Sequence, residues 1–145
     1  MKRPPCRLRL AAALLWAAAP WLLAVECNPP DVVELDPVML VDPLSLDFGE
    51  AALSADALRT VAVRNPSGLD LNLSTAFAAG SDPAFRLGRS PAVVLAGETA
   101  AIDVVFRPLV TSQVTATLVL TSDSKKYPRA EVAMVGSGVD MGLPQ

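Results

Sequence analysis

Across residues 44–135 apolar and polar positions alternate with a period of two, in short runs punctuated by turn residues, and no stretch holds the period of a helix. Leu44, Leu46 and Phe48 share one face of a first strand that stops at Gly49. Residues 58–65 carry Val61 and Val63 on one face with Arg59 at the edge, and Asn65-Pro66-Ser67-Gly68 is a dense turn signal. Leu69, Leu71 and Leu73 then alternate against Asp70 and Asn72. Phe77 leads into the loop Gly80-Ser81-Asp82-Pro83, and Phe85 with Leu87 makes a short strand. The longest clean alternation sets Val114, Ala116, Leu118 and Leu120 against Thr115, Thr117 and Thr121. A loop over residues 122–128 returns the chain to Val132 and Met134.

Residues 92–108 read as a β-hairpin. Val93 and Leu95 form one greasy face and Ile102, Val104 and Phe106 the other, on either side of Ala96-Gly97-Glu98-Thr99. Gly97 can take positive φ there, and Pro108 ends the second strand because it has no N–H for a ladder. Gly136-Ser137-Gly138 is expected to let the last strand end. Seven or so short strands at near-regular spacing point to an all-β sandwich.

Composition says what packs it. The chain of 145 residues is 52% hydrophobic but only 5% aromatic, and Trp16 and Trp21 both precede the strands. The core is therefore expected from Val, Leu, Ile and Ala with Phe48, Phe77, Phe85 and Phe106, which fall in or beside strands. Both cysteines, Cys6 and Cys27, also precede the strands, so no disulfide can form within the domain.

The first residues differ in kind. Residues 1–9 hold Lys2, Arg3, Arg7 and Arg9, and residues 10–25 are an uncharged run rich in Ala and Leu. This is the layout of a signal peptide, assigned to residues 1–26. At about 16 residues the run would rise only ~24 Å as a helix, short of a ~30 Å hydrocarbon core, so export is favoured over a permanent span. Two processing routes stand open: cleavage to a free chain, and lipidation of Cys27, which resembles the acylated cysteine of bacterial lipoproteins although Glu26 departs from that pattern. The expected location is periplasm, cell surface or medium, with any membrane attachment through this end. Residues 27–43 hold Pro29, Pro30, Pro37 and Pro43 with Asp31, Glu34, Asp36 and Asp42 between them, which reads as a solvated, semi-rigid spacer. The sandwich is assigned to residues 44–139 and a short tail to residues 140–145.

Several segments together resemble the ASH domain family (ASPM, SPD-2, Hydin): Leu46-Asp47-Phe48-Gly49-Glu50, Arg59 through Asn65, Leu95-Ala96-Gly97-Glu98-Thr99, Ile102 through Pro108, Leu118 through Asp123, and Val135-Gly136-Ser137-Gly138-Val139. The resemblance spans residues 43–139 and implies a seven-stranded immunoglobulin-like sandwich related to major sperm protein and PapD-type chaperone domains. It also implies a scaffolding or binding role. Similar domains occur in bacterial exported and surface proteins and in eukaryotic ciliary and centrosomal scaffolds, and the single copy behind an export leader is similar to the bacterial kind.

Chemistry-bearing residues are sparse. Without histidine the chain lacks the commonest general base and metal ligand. Ser137 between two glycines has no base, and Asp47, Glu50, Glu98 and Asp103 are scattered over different strands and turns. No enzyme, cofactor or metal site is expected. Asn72-Leu73-Ser74 fits a glycosylation sequon but reads as strand. From Cys27 onward eight bases face 14 acids, a net charge of −6, which is the wrong sign for a nucleic-acid surface. What remains is a non-catalytic exported module that binds a protein or envelope component at an unpaired strand edge. The candidate edges are the first strand, Leu44, Leu46 and Phe48, and the last, Glu131, Ala133 and Val135. The alternatives are a spacer domain with no ligand and, were the leader unused, an intracellular cilium or centrosome scaffold.

Overall fold

The computed structural model describes residues 35–142. The signal segment, Cys27, the first part of the spacer and the last three residues lie outside them. Nine strands follow in order: β1 Leu40–Asp42, β2 Ser45–Ala52, β3 Ala57–Arg64, β4 Leu71–Phe77, β5 Phe85–Leu87, β6 Val93–Val94, β7 Thr99–Phe106, β8 Gln113–Ser122 and β9 Arg129–Val139. They form two sheets, ordered β1-β3-β7-β5 and β2-β9-β8-β4-β6. Every pairing is antiparallel except that of β2 with β9.

The alternation in the sequence holds these sheets face to face. Leu46 and Phe48 of β2, Val61 and Val63 of β3, Ile102, Val104 and Phe106 of β7, Leu118 and Leu120 of β8, and Val132 and Met134 of β9 all point between the sheets and are buried. Burying each of these side chains away from water stabilises the fold by roughly 1.5–3 kcal/mol. At the centre Phe85 stacks on Phe106 with ring centroids 4.7 Å apart, and Phe48 meets both at 5.6 and 5.4 Å. No described residue is helical, and no helix among them is long and apolar enough to cross a membrane.

Five expectations need correction. The strand count is nine rather than seven, in part because β1 lies within the supposed spacer. Pro37 and Met39 are buried, Met39 at 4% exposure, and β1 pairs Leu40 with Arg64, so the domain takes in chain from Asp36 rather than from Leu44. The residues from Asp36 to Pro43, read from their prolines and acids as spacer, are part of the sandwich.

Residues 92–108 are not a hairpin, because β6 pairs with β4 in one sheet while β7 pairs with β3 and β5 in the other. The turn is real: Gly97 has φ +77°, and the Glu98 N–H donates to the Leu95 carbonyl at 3.0 Å. It carries the chain across the sandwich instead of back along it. The face is also inverted, since Val94 is buried at 1% while Val93 and Leu95 are exposed. A two-residue strand with valine at both positions carries no internal phase.

Gly136 and Gly138 do not end β9, which runs to Val139. Both point into the core, where a Cβ on Gly136 would lie 2.6 Å from Cε1 of Phe106 and one on Gly138 would meet Pro108 Cβ at 2.8 Å. These glycines let the ring of Phe106 and the chain after β7 close against the sheet.

Candidate functional site

A sandwich of this kind has four sheet edges: β1 and β5 bound one sheet, β2 and β6 the other. β1 and β5 have three residues each and β6 two, so the long edge is β2 with eight. Its pairing with β9 starts at Ser45 and Ala133 and is broken by an irregularity between Asp47 and Glu50, where Gly49 takes φ +63°. The Gly49 N–H donates to Asp47 Oδ1 at 2.7 Å, which fixes that bulge.

The straight part of the edge is therefore Leu44 to Asp47. The Leu44 carbonyl accepts the Ala133 N–H at 3.0 Å and so faces β9. Because the backbone alternates, Leu46 also faces β9 while Ser45 and Asp47 turn their N–H and C=O groups outward. Arg59 of β3 reaches across the seam between the sheets, its Nε donating to the Asp47 carbonyl at 3.3 Å. What is left on the outward edge is the Ser45 N–H, the Ser45 carbonyl and the Asp47 N–H. Across the seam, β1 covers only Ala62 to Arg64 of β3, so the first half of β3 is paired on its β7 side alone.

The sequence-derived candidates divide. Leu44 is exposed at 59%, at the crossing from β1 to β2. Leu46 and Phe48 lie on the edge strand, but their side chains are buried at 6% and 4% and the backbone groups of Leu46 turn to β9, so neither side chain is offered to a partner. The choice of β9 as an edge is overturned for Ala133 and Val135: β9 is flanked by β2 and β8, with Ala133 level with Ser45 and Thr117 and Val135 level with Asp47 and Thr115. A last strand in sequence need not be last in a sheet, and the parallel partner supplied by β2 covers it. Glu131 lies before the first β2 pair, level with Val119 of β8, and is held by Arg129 at 2.6 Å. Cys27 lies outside the described residues. Ser45, Asp47 and Arg59 are the residues sequence reasoning missed. The signal available for them was Asp47-Phe48-Gly49, an acid two residues before a glycine inside a strand, which marks a bulge.

Two further features complete the surface. Asp36 is the anchor of the entering chain: its Oδ1 accepts the Lys125 N–H at 2.9 Å and its Oδ2 accepts the Lys126 N–H at 3.1 Å and the Ser124 hydroxyl at 3.2 Å. These bonds, led by the one from the Lys125 backbone, hold its carboxyl below the ordinary value of 3.8. At the far end a cleft of about 220 Å³ is lined by Pro83, Ala84, Pro108, Leu109, Val110 and Val114 with Asp82 as its polar member. Among the described residues no three His, Cys, Asp or Glu side chains are placed to hold a metal ion.

Architecture and edge together define an immunoglobulin-like β-sandwich with one long edge strand, paired on one side only. The family model described as "Abnormal spindle-like microcephaly-assoc'd, ASPM-SPD-2-Hydin" matches residues 37–129, and the chain belongs to this ASH family. Among solved structures it is similar to the ASH/PapD-like domain 7 of human CEP192, with 12% identity and a TM-score of 0.60 over 91% of this chain and 99% of that one. A protein of unknown function from Porphyromonas gingivalis gives 16% and 0.62 over 76% of this chain and 51% of that one. The Vibrio cholerae VesB protease gives 13% and 0.56 over 68% and 31%. At such identities the likeness is one of fold. A search of the curated proteins found no match.

Proposed function

We propose that this protein is a non-catalytic, exported ASH module that binds a protein by adding one of the partner's strands to β2. The observation that carries the reading is the outward-turned backbone of Ser45 and Asp47 on the one long edge of the sandwich. Unpaired N–H and C=O groups in extended geometry template another strand and supply affinity through main-chain bonds. Membership of the ASH family supports a binding role. The leader at residues 1–26 supports export, and Cys27 supports a lipid tether to a membrane as one form of it.

The test uses Ser45→Pro. Proline removes the outward Ser45 N–H yet is tolerated on an edge strand, so the variant is expected to keep the wild-type circular dichroism spectrum and lose partners that the wild type retains after cross-linking. Retention of every partner by Ser45→Pro overturns strand addition at β2. Export is tested separately by intact mass of the chain made with its own leader. A processed mass in the exported fraction supports the reading, with a diacylglyceryl adduct lost in Cys27→Ser marking the tethered form. An unprocessed mass overturns export.

A further inference from the structure

The strand-addition reading leaves the chemistry of the partner open, and the surroundings of β2 narrow it. Resting on that reading, we propose that the partner strand is basic, with Lys or Arg at the alternate positions that share the outer sheet face with Asp47. Along the border where a strand would be added stand three exposed carboxylates, Asp42 at the end of β1 and Asp47 and Glu50 on β2. Among the described residues none of the three is in an ion pair. β2 itself carries no Lys or Arg, and the cation nearest in contact, Arg59, donates to a backbone carbonyl rather than to a carboxylate.

The neighbouring strands offer no compensation. On the outer face Asp47 is level with Val135 of β9 and Thr115 of β8, and Ser45 with Ala133 and Thr117. An added strand would set its own outer-face side chains beside Ser45 and Asp47, at the separation where opposite charges attract and like charges repel. Ala133 and Val135, the β9 residues level with Ser45 and Asp47, are uncharged, so β9 supplies no cation to Asp47 at these positions. The same carboxylates oppose a second copy of this chain at the edge, since two β2 strands side by side would bring Asp47 and Glu50 against their own counterparts.

The experiment uses the full chain, isotope-labelled, and three capped synthetic peptides of about nine residues that alternate Val with Lys, with Thr or with Glu. Backbone amide shifts are followed for Ser45 and Asp47 at low salt. The Lys peptide is expected to shift both amides and to bind about fivefold or more tightly than the Thr peptide, with the Glu peptide weakest. In Asp47→Asn combined with Glu50→Gln the preference for Lys is expected to collapse to within about twofold. Ser45→Pro keeps every charge and is expected to abolish binding of all three, which separates strand addition from diffuse attraction. Equal shifts at β2 from the Thr and Lys peptides overturn the basic partner while leaving strand addition standing. Shifts that avoid Ser45 and Asp47 for all three peptides overturn both. Concentration-dependent shifts of those amides without peptide would make a second copy the occupant and overturn the proposal.

Discussion

Gly136 shows what a single position can demand. A methyl group there would sit 2.6 Å from the Phe106 ring at the centre of the three-phenylalanine cluster, and the ring has Phe85 stacked 4.7 Å away to resist its retreat. Gly136→Ala is therefore expected to cost about 1–3 kcal/mol, read as a lower urea midpoint. Asn65 makes the opposite kind of demand, for polar atoms rather than space. It is fully buried, its Nδ2 donates to the carbonyls of Leu69 at 2.6 Å and Val94 at 3.1 Å, and its Oδ1 accepts from the hydroxyl of Ser67 at 2.7 Å. One side chain so ties the end of β3 to β6 in the opposite sheet. Asn65→Ala takes the side-chain donor from the Val94 carbonyl, leaves the Leu69 carbonyl to the Ser67 hydroxyl at 3.1 Å, and is expected to cost about 1–3 kcal/mol by the same measurement. Thr75 runs the other way: its Oγ1 is buried with no hydrogen-bond partner, so Thr75→Val is expected to raise stability by about 1 kcal/mol. None of the three roles was legible in the sequence. Asn65 reads locally as the start of a turn and Gly136 as the end of a strand, because sequence states what a residue permits and not what faces it from the other sheet.

At the level of elements, legibility followed length. β3, β7, β8 and β9 each carry enough alternating positions to fix which face is buried, and Val61, Ile102, Leu118 and Val132 lie inward as their phase requires. β6 has two residues and β1 three, too few to establish a period, and both were misread, one in facing and one as spacer. Pairing was less legible than strand position, since a turn such as the one at Gly97 looks the same whether it returns the chain to its own sheet or sends it to the other. The entering segment before β1 is held by Asp36, and its titration gives a signed expectation. The folded carboxyl lies below its ordinary 3.8, so its contribution is fully present above that pH and is lost as the pH falls through the lowered folded value. Thermal melts of wild type and Asp36→Asn should differ near neutral pH, with the variant lower, and converge as the pH falls through that lowered value. A constant difference across that range would mean that the anchor does not act through its charge.

For the whole molecule the question becomes where the folding unit begins. The apolar run of the leader, the proline-rich stretch and the strands were each recognisable from composition, but the border between spacer and sandwich was set at Leu44 because prolines and acids dominate the residues before it. The fold places the border earlier, and the family match, which starts at residue 37, agrees with it. Met39 fills the core, Pro37 is buried, β1 pairs with the end of β3, and the Val38 N–H reaches Asn65 Oδ1 at 3.4 Å. This segment also precedes the proposed binding edge directly, so its loss would leave β2 without the crossing that sets its register against β9. A chain beginning at Leu35 is expected to unfold cooperatively, while one beginning at Leu44 should lose about 3–5 kcal/mol, from the Met39 side chain and the pairing of β1 together. Against a total of about 5–15 kcal/mol for a domain of this size, that loss should leave the shorter chain with a visibly lower urea midpoint. Equal midpoints would return residues 36–42 to the spacer. A lower midpoint, accompanied by faster exchange of the Ser45 and Asp47 amides, would show that the entering strand both completes the core and holds the edge in the extended form on which a partner strand depends.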